Sequence, residues 1–186
     1  MSAMSIAQLW DVIDEWYATR GASLQLNPPA SAEAIDALAA HLGVTLPDQL
    51  RESLSRHDGT PEGGWPRGEL LSCARIADET TGWRDLVSGG ELGDRAPSDP
   101  APQMAPVWWH QGWLSLDSDG AGNGAVLDLA PGTGGAVGQI LDMDHEVGPS
   151  GPRQPDLAAY LQAVLDELAG FTTLDGALIR ADESSP

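Results

Sequence analysis

Residues 107–146, VWWHQGWLSLDSDGAGNGAVLDLAPGTGGAVGQILDMDHE, decide the fold of this chain. Apolar residues alternate with polar ones in this stretch, since Leu114 and Leu116 flank Ser115. Alternation with a period of two is typical of strands that have one face on a core. Polar, Gly-rich segments such as 117–124 separate these runs and favour turns between antiparallel strands. We therefore predict a meander of four strands, around residues 105–110, 113–117, 124–129 and 137–142.

Outside this stretch the apolar spacing changes from two residues to three or four, which is typical of helices. It predicts three helices within residues 5–57 and a further helix at 156–169. Ser31, ahead of the second helix, is a favourable N-cap residue. Pro47, ahead of the third helix, is a favourable residue for a helix start.

These elements predict a single α+β domain, with a largely antiparallel sheet packed against N-terminal and C-terminal helices. We place the domain at residues 1–171 and expect residues 172–186, which end in ADESSP, to be a partly disordered tail. Before the sheet, a short strand within 70–76 and a helix at 77–86 are predicted. The Gly- and Pro-rich segment 88–106 is long for a loop in a compact domain, so it is either mobile or functional.

The charge of the chain excludes several classes of function. There are 28 acidic residues against 9 basic ones, which gives a net charge of -19, and all nine basic residues are arginine. This charge repels phosphate backbones and anionic membranes, so we expect no nucleic-acid partner and no membrane partner. The absence of lysine excludes a P-loop, a kinase strand lysine and a Schiff base with pyridoxal phosphate. The acidity indicates either adaptation to solubility or a surface for a basic partner protein.

Cysteine content and hydropathy favour a cytoplasmic protein. Cys73 is the single cysteine and cannot form an internal disulfide. With no adjacent histidine or basic helix end, it is interpreted as a buried thiol without a reactive role. No run approaches about 18 consecutive apolar residues, and the first residues lack a basic segment. We therefore expect neither a membrane span nor a secretory signal.

One polar loop superficially resembles a calcium-binding loop. Asp117, Asp119 and Gly122 stand at its first, third and sixth positions. However, the fifth position is Ala121, and the twelfth is Asp128 in place of a bidentate glutamate. The flanking residues are predicted strands, whereas a calcium-binding EF-hand has helices there. We interpret this loop as an Asx and Gly turn.

The acidic group Asp142, Asp144, His145 and Glu146 could bind a metal in principle. Successive residues of a strand point to opposite faces, so only alternate members of this group can converge. We interpret the group as a solvated strand end, because charged side chains are usually exposed. Residues 57–59, His-Asp-Gly, could suggest an acid–base pair, but their place at a helix end favours capping and turn formation. We predict no catalytic residue, no metal and no cofactor.

Tryptophan is abundant, with seven residues. Trp65 lies in a Gly- and Pro-rich loop and is therefore the tryptophan most expected to be exposed. An exposed tryptophan near acidic residues is typical of a binding hot spot. Trp108 and Trp109 are adjacent, so on a strand they would point to opposite faces of the sheet. Core packing explains most of the others.

Several short motifs follow one another in a recognisable order. They are Leu42-Gly43 with Leu46-Pro47, His57-Asp58-Gly59, Leu116-Asp117 through Asp128-Leu129, Gly138, and Asp144-His145-Glu146. This order resembles the SUKH superfamily, which includes the Smi/Knr family, named for a yeast regulator of cell-wall synthesis. The resemblance covers roughly residues 5–169. The chain departs from the family pattern in its long loop at 88–106 and in lacking an aromatic residue soon after Pro47.

The resemblance implies an α+β domain that binds partner proteins and is not an enzyme. Bacterial members are commonly immunity proteins, which bind and neutralise a toxin, and the yeast relatives are intracellular interaction hubs. We therefore predict a non-enzymatic bacterial immunity protein that neutralises a polymorphic toxin by stoichiometric binding, with a basic toxin domain as its partner. The alternatives are a regulatory interaction module of the cell-wall-synthesis-regulator kind and a metal-dependent hydrolase that uses residues 142–146. The expected partner-binding residues are Trp65, Asp117, Asp119, Asp142, Asp144 and Glu146.

Overall fold

The helices follow the apolar spacing closely. The computed structural model describes the backbone of residues 3–184 and the side chains of residues 3–182. The helices within this part are α1 (Ile6–Thr19), α2 (Ala32–Leu42), α3 (Asp48–Arg56), α4 (Cys73–Ser88) and α5 (Leu157–Leu168). These bounds confirm the helices predicted within 5–57 and at 156–169. Helix α4 is longer than the predicted helix at 77–86.

Polar side chains set the starts of four helices. Ser5 opens α1 with a capping box: its hydroxyl accepts a hydrogen bond from the Gln8 N–H, and the Gln8 side chain accepts one from the Ser5 N–H. Ser31, Ser72 and Asp156 each accept a hydrogen bond from a backbone N–H in the first turn of α2, α4 and α5. Each such cap satisfies a backbone donor that would otherwise lack a helical partner.

The strands pair in antiparallel fashion, which confirms the predicted sheet. They are β1 (Glu69–Leu70), β2 (Trp113–Ser115), β3 (Asp117–Ser118), β4 (Gly124–Asp128), β5 (Gln139–Asp144), β6 (Gly148–Gln154), β7 (Phe171–Leu174) and β8 (Ala177–Arg180). The central sheet has the order β2-β4-β5-β6, while β1 pairs with β3 and β7 with β8. Helices packed with antiparallel sheets make this a single α+β domain.

The central sheet is buried on both faces. Successive residues of β4 point to opposite sides, so Leu127 packs in a main core with α1, α2, α3 and α5, whereas Val126 packs in a second cluster. We call the second cluster the tryptophan cluster; its buried residues are Met104, Trp108, Trp109, Trp113, Val126, Leu141 and Met143. The end of the long loop therefore covers the sheet face opposite α1, α2, α3 and α5.

The strand predicted at 105–110 is absent from the described chain, so that prediction is wrong. Trp108 and Trp109 are both buried on the same side, within the tryptophan cluster, and do not point to opposite faces. The ring of Trp109 stacks on Trp83 of α4, with 5.2 Å between centroids and 11° between planes. The packing of large aromatic rings therefore buries this irregular segment, which within the described chain forms no backbone hydrogen bonds of the kind that pair strands.

Three further differences concern β6, β1 and the C-terminal residues. β6 was not predicted, because its sequence GPSGPRQ carries two prolines. It lies at the edge of the sheet, where a missing N–H is tolerated. The short strand predicted within 70–76 is limited to Glu69–Leu70. Residues 171–180, expected to begin a disordered tail, form the β7–β8 hairpin, whereas Ser185 and Pro186 lie outside the described residues.

The hairpin and α1 are tied to the rest of the domain by side-chain hydrogen bonds. Thr173 donates its hydroxyl to the Arg20 carbonyl at 2.8 Å, just beyond the end of α1. Within the core, Trp10 Nε1 donates to Ser53 Oγ at 2.9 Å and Tyr17 Oη donates to the Gly64 carbonyl at 2.8 Å. Helix α1 is thus fixed to α3 and to the loop after it.

Asp58 and Gly59 follow α3 and contact both the end of β1 and the start of α4. The Asp58 carboxylate accepts a hydrogen bond from the Cys73 N–H at 2.7 Å, at the start of α4. Gly59 adopts a positive φ of 68° and lies against the backbone of residues 70–72. These contacts confirm that the motif at 57–59 serves in turn formation and capping. Cys73 is buried as predicted, and burial raises the pKa of its thiol to about 12.

Candidate functional site

An open cleft of about 570 Å³ lies at one end of the central sheet, where β4 starts, β5 ends and β6 starts. Residues 66 and 67, from the loop before β1, and Arg180, from β8, complete its walls. Its charged lining residues are Arg67, Asp117, Asp119, Asp142, Asp144, Arg153 and Arg180. The structure therefore brings together four of the six residues predicted to bind a partner, and adds three arginines.

Asp117 is the innermost charged residue of the cleft and is 2% exposed. Its Oδ2 accepts a hydrogen bond from Tyr160 Oη at 2.6 Å, and its Oδ1 accepts one from the Ala125 N–H at 2.5 Å. Trp65 Nε1 in turn donates to Tyr160 Oη at 2.9 Å. An indole, a phenol and a carboxylate thus form a buried chain that links the loop before β1, helix α5 and strand β3.

Burial sets the protonation behaviour of this chain. It raises the pKa of Asp117 to about 6, although the hydrogen bonds from Tyr160 and the Ala125 N–H and the charge of Arg67 oppose the rise. Burial and the neighbouring Asp117 charge raise the pKa of Tyr160, so its hydroxyl remains a donor. The floor of the cleft therefore holds a carboxyl group that changes charge near pH 6.

Asp119 shapes the loop that was compared with a calcium site. Its carboxylate accepts hydrogen bonds from the N–H groups of Ala121 and Asn123 and from the Asn123 side-chain amide, at 2.7–3.0 Å. Burial raises the pKa of Asp119, but these hydrogen bonds together with the charge of His145 outweigh it, so the pKa is depressed. The predicted Asx turn is confirmed.

The three arginines differ in how strongly they are held. Arg67 contacts Glu167 of α5 at 3.0 Å and Asp142 at 3.5 Å. Burial lowers the pKa of Arg67, but hydrogen bonding and the charges of Glu167 and Asp117 raise it more. Arg153 Nε lies 2.7 Å from Asp142 Oδ2. The guanidinium of Arg180 lies 5.1 Å from the centre of the Phe171 ring.

The turn between β5 and β6 carries the rest of the predicted acidic group. Asp144 accepts hydrogen bonds from the N–H groups of Glu146 and Val147, which depress its pKa. His145 Nδ1 lies 2.9 Å from the Asn123 side-chain oxygen. The Glu146 side chain is 78% exposed and lies beside the cleft, outside its lining. Asp144 and Glu146 therefore face solvent at one end of the cleft.

Two of the six predicted residues lie deeper than expected. Trp65 is 2% exposed, so the expectation that it is exposed is wrong: its ring packs against Trp10, and its N–H is used by Tyr160. Asp117 is equally buried and lies at the floor of the cleft. The arginines were missed because Arg67, Arg153 and Arg180 are far apart in sequence and share no local motif.

Two properties of the described residues bear on alternative functions. Among residues 3–182, histidine, cysteine and acidic side chains do not gather in groups of three or more that could hold a metal ion. Within the same part of the chain, the helices are too short or too polar for any of them to cross a membrane.

Replacing Asp117 with asparagine is expected to change how stability depends on pH. The native pKa of Asp117, about 6, lies above its ordinary value of 3.8, so the folded state binds its proton more tightly than the unfolded state. The stabilisation from this proton is complete below about pH 4 and is lost as pH rises through 6. Urea unfolding of both proteins between pH 4 and 7 should show the wild type losing stability relative to the Asp117→Asn variant. A difference that stays constant over this range would contradict the assignment.

The fold and the cleft define a class: α+β domains in which helices pack on an antiparallel sheet and charged residues of both signs gather at one end of it. The chain belongs to the SMI1/KNR4 family (SUKH-1), whose family model matches residues 29–163. The resemblance found in the sequence is thus confirmed.

Curated relatives of this chain include fungal regulators. The chain is 33% identical over 154 residues to the cell wall biosynthesis/cell cycle regulator smi1 of Schizosaccharomyces pombe, covering 73% of this chain and 31% of the relative. It is 28% identical over 176 residues to the glucan synthesis regulatory protein of Neurospora crassa, covering 73% and 33%. It is 25% identical over 179 residues to the cell wall assembly regulator SMI1 of Saccharomyces cerevisiae, covering 74% and 35%. The chain spans about a third of the length of these relatives.

Proposed function

We propose that this chain is a non-enzymatic, partner-binding module of the regulatory kind, and that the charged cleft is its binding surface. The observation that supports this most directly is the gathering of seven charged side chains around one open cleft. Its four aspartates, Asp117, Asp119, Asp142 and Asp144, were all predicted from the sequence to bind a partner. The fungal relatives are named as regulators of cell wall synthesis or assembly, which fits a protein that acts through other proteins.

Electrostatics favour a partner with a basic surface. The net charge of -19 attracts cationic proteins over long distances and repels anionic ones. At the solvent-exposed end of the cleft, Asp119 and Asp144 have depressed pKa values and stay ionised at neutral pH. Such surface charges act mainly on the rate of association, whereas buried apolar contacts act on dissociation.

A second candidate is neutralisation of a toxin by stoichiometric binding. The observation in its favour is the acidity of the chain, which suits occlusion of a basic toxin domain. Both candidates use the same surface and differ in what the partner does. A partner whose toxic activity is lost in a one-to-one complex would support toxin neutralisation, and a partner that remains active would support the regulatory function.

Neutralising Asp119 and Asp144 together, as Asp119→Asn with Asp144→Asn, is expected to slow association with a partner several-fold at low salt. Asparagine removes the charge and keeps the oxygen that accepts the backbone hydrogen bonds of each turn, while at position 119 the bond from the Asn123 side-chain amide is lost. The difference from wild type should shrink as ionic strength rises, because the screening length is about 8 Å at 0.15 M. Surface plasmon resonance against the products of neighbouring genes measures both rates.

A matched control separates the cleft from the overall charge. Glu33→Gln with Glu52→Gln removes the same two charges from exposed positions of α2 and α3, outside the cleft lining. If this pair slows association as much as the cleft pair does, then only net charge matters and the cleft is not the binding surface. If none of the tested products binds, the partner-binding proposal fails for those proteins.

A further inference from the structure

The arginines of the cleft are unusual for this chain. Basic residues number only nine in 186 positions, yet Arg67, Arg153 and Arg180 line one cleft. They come from three separate parts of the chain: the loop before β1, strand β6 and strand β8. On a surface with a net charge of -19, this cleft therefore offers a site where a carboxylate of a partner meets several guanidinium groups.

The guanidinium groups keep hydrogen-bond donors for such a carboxylate. Arg153 contacts Asp142 through Nε, which leaves the donors of its two terminal nitrogens. Among residues 3–182, no acidic side chain lies within 4 Å of Arg180, whose guanidinium is over the Phe171 ring. Asp142 lies between Arg67 and Arg153 and holds both in place. Arg153 and Arg180 therefore retain donors from which a carboxylate can accept hydrogen bonds.

The opposite end of the cleft has the opposite sign. Asp144 lies two residues after Asp142 on β5, so the two residues share one face of the strand, with their Cα atoms about 7 Å apart. Asp142 marks the arginine end, and Asp144 with Asp119 marks the acidic end. Among the described residues, no arginine lies within 4 Å of Asp119 or Asp144. The cleft is therefore dipolar along the direction of β5.

We infer that the cleft binds an extended segment of a partner protein in which a basic side chain and a carboxylate side chain are separated by one residue. In an extended chain, residues i and i+2 point to the same side and lie about 7 Å apart, the same spacing as that of Asp142 and Asp144 along β5. The basic side chain meets Asp119 and Asp144, and the carboxylate meets Arg153 and Arg180. This inference rests on the proposed function and specifies the chemistry of its partner.

The test uses the full chain and a short peptide, acetyl-Gly-Lys-Ala-Glu-Gly-amide, as the probe. Titration followed by NMR is expected to shift the side-chain Nε–Hε signals of Arg153 and Arg180 in a saturable way. A peptide with glutamine in place of glutamate is expected to bind about two- to fivefold more weakly, the range given by one exposed ion pair. A peptide in which lysine and glutamate are adjacent is expected to lose as much affinity, because neighbouring side chains of an extended chain point to opposite faces.

Variants of the protein complete the test. Arg180→Gln is expected to abolish most of the preference for the glutamate peptide over the glutamine peptide. Arg95→Gln is the matched control, since Arg95 lies over Trp108 outside the cleft lining and should leave the preference unchanged. Equal binding of the three peptides, or no shift of the arginine signals, would overturn the inference. The proposed function itself stands or falls separately, on whether the Asp119→Asn and Asp144→Asn pair slows association with a whole partner protein.

Discussion

Replacing Trp65 with alanine is expected to lower the free energy of unfolding by about 3–5 kcal/mol, the range for removing a buried tryptophan. The indole is 2% exposed, packs against Trp10 with 5.8 Å between ring centroids, and donates to Tyr160. The substitution leaves a large cavity in the main core and removes one hydrogen bond from the chain that ends at Asp117. Urea-induced unfolding followed by circular dichroism measures the loss.

Trp16→Ala provides the control for Trp65→Ala. Trp16 is half-buried on α1, and its ring is covered on one side by the Arg20 guanidinium at 4.2 Å. Its truncation is expected to cost about 1–2 kcal/mol, because less apolar area leaves contact with the core. Equal losses for the two variants, or a loss under about 1 kcal/mol for Trp65→Ala, would show that Trp65 is not part of the core.

Replacing Gly59 with alanine is expected to destabilise the fold by about 2–5 kcal/mol, since it combines left-handed backbone strain with a steric overlap. An added Cβ would lie 2.6 Å from the Ser72 nitrogen and 2.7 Å from the Leu71 carbonyl carbon. Both atoms belong to the backbone that joins β1 to α4, so neither can move without disturbing the start of the helix. Thermal or urea unfolding measures the effect.

Gly43→Ala separates the two causes of this effect. Gly43 ends α2 with a φ of 66°, close to the 68° of Gly59, but an added Cβ there meets no atom within 4 Å. Its substitution is expected to cost only the backbone strain, about 1–2 kcal/mol. If Gly59→Ala costs no more than Gly43→Ala, the packing of Gly59 against residues 70–72 contributes nothing.

Elements with regular apolar spacing were predictable from sequence. Helix α1 shows five buried residues at helical intervals, and β4 alternates between two cores, so both have a clear period. The segment at 105–110 has no period, because its tryptophans pack side by side as rings. Strand β6 carries prolines that normally indicate a loop, and its edge position alone allows them. That position depends on the whole sheet and has no local signal.

The candidate site was predictable only in part. The sequence placed Asp119 in an Asx turn and Asp144 in a solvated acidic strand end, and in the structure both side chains accept backbone hydrogen bonds at turns. Trp65 was misjudged because the Gly and Pro residues around it suggest exposure, whereas its burial follows from contacts with α1 and α5. Arg180 reaches the cleft through the β7–β8 hairpin, which the sequence pattern did not predict. Contacts between elements that are distant in sequence determine the positions of Trp65 and Arg180.

The attachment of α1 to the rest of the domain shows that the buried contacts of this protein extend beyond the limits of the family-model match. The family match begins at residue 29 and ends at residue 163. A recombinant fragment with those limits would lack Trp10 and Tyr17, whose hydrogen bonds to Ser53 and the Gly64 carbonyl hold α3 and the following loop. It would also lack Leu168, which is fully buried. We therefore expect a fragment that folds on its own to extend beyond residues 29–163 at both ends, and dissection of longer relatives should follow the buried contacts instead of the limits of the family match.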